Sequence, residues 1–185
     1  MFRIWTLPAL ALVCGVPWGV VRWSRRSPAS RAAMEAVFVG YVAAMLYVVF
    51  LPLPWRPGDT RLVSSCVNLV PSRTVVGIIR DFPGLVIQQL LGNVVMFAPL
   101  GFLLPLLGSR YRRFAITAAV AVAASLGIEL VQLVLLLAVT ARRSVDVDDV
   151  ILNVTGACLG YLVWRIAHVS ARTFPPRSGP LEDAV

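Results

Sequence analysis

Between Arg113 and Arg142 the only ionisable side chain is Glu129, and a stretch that long with so little charge constrains the fold more than any motif does. About 20 consecutive apolar residues cross about 30 Å of hydrocarbon as a helix. Four further uncharged runs stand beside it: Ile4 to Val21, Ala36 to Trp55, Phe82 to Ser109 and Val150 to Trp164, the long one itself running from Phe114 through Glu129 to Ala141. Lipid admits only helices and closed barrels, because each backbone polar group must be satisfied within the protein. Continuous rather than alternating hydrophobicity selects helices. The expected fold is therefore all-α, a polytopic membrane helix bundle of about five transmembrane helices. Residues 56 to 83 form its one long connector, and Val67, Leu69, Val70, Val75, Val76, Ile78 and Ile79 make that connector too apolar for a free loop. An interfacial or re-entrant segment between the second and third helices is expected there. The chain divides into a first transmembrane helix with its basic connector (1–31), a transmembrane domain (32–169) and a disordered tail (170–185) rich in proline, arginine and glycine.

Charge then bears on partners and orientation. The net charge of +8 does not point to nucleic acid, because all 17 basic residues are arginines placed in the connectors. That placement serves topology. Five spans put the termini on opposite sides. With the N-terminus outside, ten arginines fall on the cytoplasmic side against seven outside, so N-out and C-in is the favoured orientation. Arg22, Arg25 and Arg26 follow the first run in a stop-transfer pattern, with no small-residue cleavage site before them, which argues against a signal peptide. Cys14, Cys66 and Cys158 are odd in number and lack metal-ligand spacing. His168, the only histidine, falls beyond the last uncharged run and is expected to be a solvated interfacial residue.

The polar residues inside the apolar runs carry the chemistry. Fifteen uncharged residues from Val150 to Trp164 reach only about 22 Å, so charge at the ends must be drawn toward the membrane. Asp146, Asp149, Asn153, Gly156 and Gly160 are spaced by three or four and share one helical face, polar at one end and small further in. Asp146, Asp148 and Asp149 would serve as helix caps paired with Arg142 and Arg143. Three carboxylates within four residues also repel one another unless a cation or ligand neutralises them, so a divalent cation at Asp146, Asp148 and Asp149 stays open. Glu129 lies roughly 16 Å from the end of its helix at Thr140, where an ionisable group is costly and by default paired or functional. Ser125, Glu129 and Gln132 share a face, and the depths of Asn93 and Asn153 match theirs. Asp149, Asn153, Asn93, Gln132 and Glu129 thus line up as a polar column, with interhelical hydrogen bonding as the bland alternative. Gly92 and Gly101 permit close helix approach, and Pro99 deprives the carbonyl of Val95 of its helical partner, which suggests a broken helix.

Taken together, Asn68-Leu69-Val70-Pro71, Gly92-Asn93, Phe97-Ala98-Pro99-Leu100-Gly101-Phe102, the Ser125, Glu129, Gln132 face, and Arg143 through Asp146, Asp148 and Asp149 to Asn153 and Gly156 resemble the VanZ family over residues 68 to 160. Ser72 departs from the pattern, standing where an aromatic is expected. The resemblance implies a multi-pass protein of the bacterial cytoplasmic membrane, in a family whose named member is associated with reduced susceptibility to the lipid-tailed glycopeptide teicoplanin. Three functional readings follow. The chain binds an amphiphilic envelope component, such as a lipid-linked cell-wall precursor or a lipoglycopeptide, through Asn68, Asn93, Glu129, Gln132, Arg143, Asp146, Asp148, Asp149 and Asn153. Alternatively it is an intramembrane enzyme acting on a lipid phosphate with a divalent cation, although no glycine-rich phosphate loop, activated nucleophile or catalytic histidine is visible. A proton-coupled carrier with Glu129 as its titrating group is the third.

Overall fold

A computed structural model describes residues 19–21, 23, 27–51, 67–81, 86–139 and 145–173. Most of the expected first span, Arg142 and Arg143, Cys14 and Cys66, and residues 174–185 of the expected disordered tail lie outside the described residues, while residues 170–173 of that tail are helical and continue the last helix.

Among the described residues, four helices are long and apolar enough to cross a membrane. They are α1 (Pro28–Phe50), α3 (Val86–Leu107), α4 (Phe114–Val139) and α5 (Val147–Thr173), with a short α2 (Arg73–Asp81) between the first two and a 3-10 turn (Ser109–Arg112) joining α3 to α4. The protein is thus a mostly all-α bundle. Two two-residue strands, β1 (Val67–Asn68) and β2 (Val145–Asp146), pair in parallel, with Asn68 opposite Asp146. This small addition to an all-helical expectation ties together two connectors at the same end of the bundle.

The start of α1 is set by local chemistry. Ser27 accepts from the backbone of Ser30 at 3.2 Å, the Ser30 hydroxyl accepts from the backbone of Ser27 at 3.1 Å, and Pro28 occupies the first helical turn. These satisfy donors that a helix start otherwise leaves unpaired. Arg31, counted above with the connector, lies in the first turns of α1. The segment expected to be interfacial folds as α2, which buries Ile78 and exposes Val76 and Ile79. A short helix with an uncovered apolar side suits the membrane boundary.

The tightest packing joins α3 to α5. A Cβ on Gly156 would fall 2.1 Å from the carbonyl oxygen of Val94, one on Gly160 1.8 Å from that of Ala98, and one on Gly101 1.8 Å from that of Ala157. The small-residue stripe lets the two backbones touch, the means by which membrane helices gain packing without a hydrophobic driving force. Gly92 does not contribute, because a Cβ there would meet nothing within 4 Å. Phe97, Leu100, Leu104, Ala121, Ile128 and Ala157 fill the centre with Met45 and Val49 of α1.

The expectation of a break at Pro99 is overturned: α3 runs on through Pro99 and Pro105. Neighbouring helices make a proline tolerable inside a membrane bundle, and next to the Val95 carbonyl that Pro99 deprives, the Tyr41 hydroxyl of α1 donates to the carbonyl of Met96 at 2.8 Å. Tyr41→Phe is expected to cost about 1 kcal/mol, read as a fall of about 2 to 4 °C in the unfolding midpoint in detergent.

His168 also departs from expectation. Helix α5 continues past Trp164 and Arg165, so His168 is only 7% exposed and lies 4.8 Å from the Trp164 ring, centre to centre. Tyr161 and Phe114 extend this aromatic row, and the Tyr161 hydroxyl donates to the carbonyl of Arg112 at 2.6 Å, pinning the α3–α4 turn. This buried aromatic row packs the turns of α5 beyond Trp164, which an uncharged run could not reveal. Cys158, the one cysteine among the described residues, is free.

Candidate functional site

The nine residues singled out in the sequence divide into two layers at the end of the bundle where α1 and α4 finish and α3 and α5 begin, with Arg143 outside the described residues. The first layer is a tether. Asp146 stands just before α5, and its Oδ1 accepts from the backbone N–H of Asp148 at 2.9 Å, a cap on the helix that follows. The same carboxylate accepts from Asn68 Nδ2 at 3.0 Å and from the hydroxyl of Thr74. Asp148, 2% exposed, reaches instead to the start of α2. Its Oδ1 accepts from the N–H of Ser72 at 2.5 Å, and its Oδ2 from those of Thr74 and Val75 at 2.9 and 3.1 Å. A carboxylate held by several backbone N–H groups at a helix start gains both hydrogen bonds and a favourable dipole. Ser72 has φ 67°, a left-handed conformation uncommon for a non-glycine residue, which the grip of Asp148 holds in place. Asn68 closes the turn by accepting from the N–H of Val70 at 3.1 Å.

With their oxygens committed in this way, Asp146 and Asp148 do not converge with Asp149 on a common point. Among the described residues no group of three or more His, Cys, Asp or Glu is placed to hold a metal ion. The donor set therefore gives no support to a divalent cation shared by Asp146, Asp148 and Asp149.

The second layer lies beneath the tether. Asn93, Glu129, Gln132, Asp149 and Asn153 line one cavity of about 210 Å³ together with Val48, Val49, Met96 and Ile128. Asn93 Nδ2 donates to Asp149 Oδ1 at 2.6 Å, joining α3 to α5. Asn153 Nδ2 donates to the Ser125 hydroxyl at 2.9 Å, joining α5 to α4. The backbone N–H of Asp146 donates to Glu129 Oε2 at 3.0 Å, so the buried glutamate also steadies the chain entering α5. Two buried oxygens, Asn153 Oδ1 and Gln132 Oε1, have no hydrogen-bond partner. Such atoms are costly unless something supplies a donor.

Thr74 carries no sequence signal for this role, and Ser72 stands out only as a departure from the family pattern, because their partner, Asp148, is more than 70 residues away. A polar residue just after Pro71, preceding an apolar helix, was the available signal. Val48, Val49, Met96 and Ile128 carried none, since apolar residues in a membrane span look alike until packing distinguishes them.

The VanZ/LLP1 family model matches residues 38–168, a wider stretch than the motifs alone cover. No curated protein and no solved structure matches the chain.

Proposed function

The chain belongs to the VanZ/LLP1 family, and we propose that it binds an amphiphilic component of the bacterial cell envelope, with the polar head in the cavity between α1, α3, α4 and α5. The observation that carries this reading is the mixed lining: carboxylates and amides from α3, α4 and α5 together with Val48, Val49, Met96 and Ile128. A head group and the first methylenes of its tail need both kinds of surface. Val48 is exposed on the outer side of α1, giving the tail a route to lipid. With the N-terminus outside, the cavity lies toward the outer leaflet of the cytoplasmic membrane, where lipid-linked cell-wall precursors and lipoglycopeptides such as teicoplanin are met. The tether layer keeps Asp149 and Glu129 in place while leaving the cavity to the ligand.

Filling the cavity tests this reading. Native mass spectrometry of protein extracted from its own membrane is expected to show a retained amphiphile on the wild type, and at least a tenfold lower bound fraction on folded Gln132→Trp. Equal retention by the two would exclude the cavity as the binding site.

A further inference from the structure

We infer that α2 and the turn before it form a docking surface for anionic phospholipid, with phosphate head groups on Arg73 and Arg80 and the side chains of Leu69, Val70, Val76 and Ile79 in the acyl region below them. None of these residues lines the cavity, so this surface is separate from the site proposed above. Depth along α5 sets the level of α2. Asp148 holds the backbone N–H groups of Ser72, Thr74 and Val75, and the uncharged run of α5 begins two residues further on, at Val150. The start of α2 is therefore level with the boundary between hydrocarbon and water. Its nine residues reach about 14 Å as a helix, too short to cross. Leu69, Val70, Val76 and Ile79 are each more than half exposed. Four large apolar side chains gathered at that boundary mark an interaction surface.

Charge decides what covers it. Ile78 is buried, and Thr74 and Val75 are half-buried against the bundle, with the Thr74 hydroxyl on Asp146. On the opposite side Val76 stands three residues after Arg73 and four before Arg80, so the two arginines flank it on one helical face, and Ile79 follows one turn on. Both arginines are exposed. Arg80 lies 3.9 Å from Asp81, but both side chains are open to solvent, and such a pair holds little. The guanidinium is free to reach outward. Apolar residues edged by arginines suit a helix lying in the membrane interface, where a guanidinium meets phosphate oxygens with two parallel hydrogen bonds. A neutral head group would seat the apolar side chains and leave both arginines without an anion. An anionic phospholipid meets the two needs together.

Hydrogen exchange of the full-length protein in nanodiscs tests this surface. Amides of residues 76 to 79 are expected to exchange about tenfold more slowly in discs of mixed phosphatidylglycerol and phosphatidylcholine than in discs of phosphatidylcholine alone, a size set by two arginines at an anionic surface. High salt should narrow that gap. Arg73→Gln combined with Arg80→Gln should abolish it with the unfolding midpoint unchanged, and the same variant in the same discs separates contact at α2 from the general surface potential of the membrane. Val76→Ser combined with Ile79→Ser should reduce the gap, because the arginines then lack the apolar seat beneath them. Equal exchange of the wild type in the two kinds of disc, or a gap that survives removal of both arginines, overturns the assignment. Slowing seen only in native membrane vesicles, and in neither kind of disc, would give the surface to a protein partner and overturn it as well.

Discussion

Gly160→Ala is expected to destabilise the bundle by about 3 kcal/mol or more, seen as a fall of about 10 °C in the unfolding midpoint. A single methyl group is enough because its carbon would sit 1.8 Å from the carbonyl oxygen of Ala98. That obstacle is backbone rather than a side chain able to swing aside, so α3 and α5 must move apart. The movement would open the contacts at Gly156 against Val94 and Gly101 against Ala157 together, and it would separate Asn93 from Asp149. Gly92→Ala and Gly127→Ala supply the contrast, because a Cβ at either position meets nothing within 4 Å. Alanine is the better helix former by about 1 kcal/mol, so these two variants are expected to be neutral or slightly more stable. Thermal unfolding in one detergent, with all three variants side by side, checks the set. Equal behaviour of Gly160→Ala and Gly92→Ala would contradict the close α3–α5 contact.

Asp148→Ala is expected to release α2 from the bundle. It removes the acceptor of three backbone N–H groups and leaves the left-handed backbone of Ser72 without its restraint. Charge-assisted bonds of this kind contribute more than neutral ones, and their joint loss is expected to be on the order of 3 kcal/mol. Hydrogen exchange reads this locally: amides of residues 72 to 75 should exchange about 100-fold faster in the variant. Amides in the middle of α4 should change little. Asp148→Asn keeps an acceptor oxygen and should fall between the two. A uniform rise in exchange across all helices would mean that Asp148 acts through global stability and not as the clamp on α2.

The contrast between these two positions shows what the sequence made legible. Gly156 and Gly160 lie four residues apart on one helix face, and that spacing alone marks a contact surface. The apolar runs fix the helices of the bundle because lipid leaves the backbone no other way to satisfy itself. Depth along a helix also follows from residue number, which is why Asn93, Glu129, Gln132, Asp149 and Asn153 could be placed at related levels and are found around one cavity. Azimuth between helices does not follow from residue number. Nothing local tells Asp148 to reach α2 while Asp149, its neighbour, turns to Asn93. The length of α5 was underestimated for a different reason. An uncharged run ends at Arg165, but a helix need not, and Trp164 and Tyr161 create a buried setting in which His168 continues the core.

The two aspartate roles also separate architecture from ligand chemistry. Asp146 and Asp148 spend their oxygens on the connector, and changing them should damage the fold first. Asp149 and Glu129 present their carboxylates to the cavity, and changing them to the matching amides should alter binding while the bundle persists.

The most direct test of amphiphile binding in this cavity is photo-cross-linking with a phospholipid that carries a diazirine on the first methylenes of its tail, followed by mapping of the labelled residues. The account predicts label on Val48, Val49, Met96 and Ile128, with loss of that label in Gln132→Trp. Label confined to the lipid-facing side of α4 at Leu130, Val134 and Leu137, unchanged by the substitution, would contradict it.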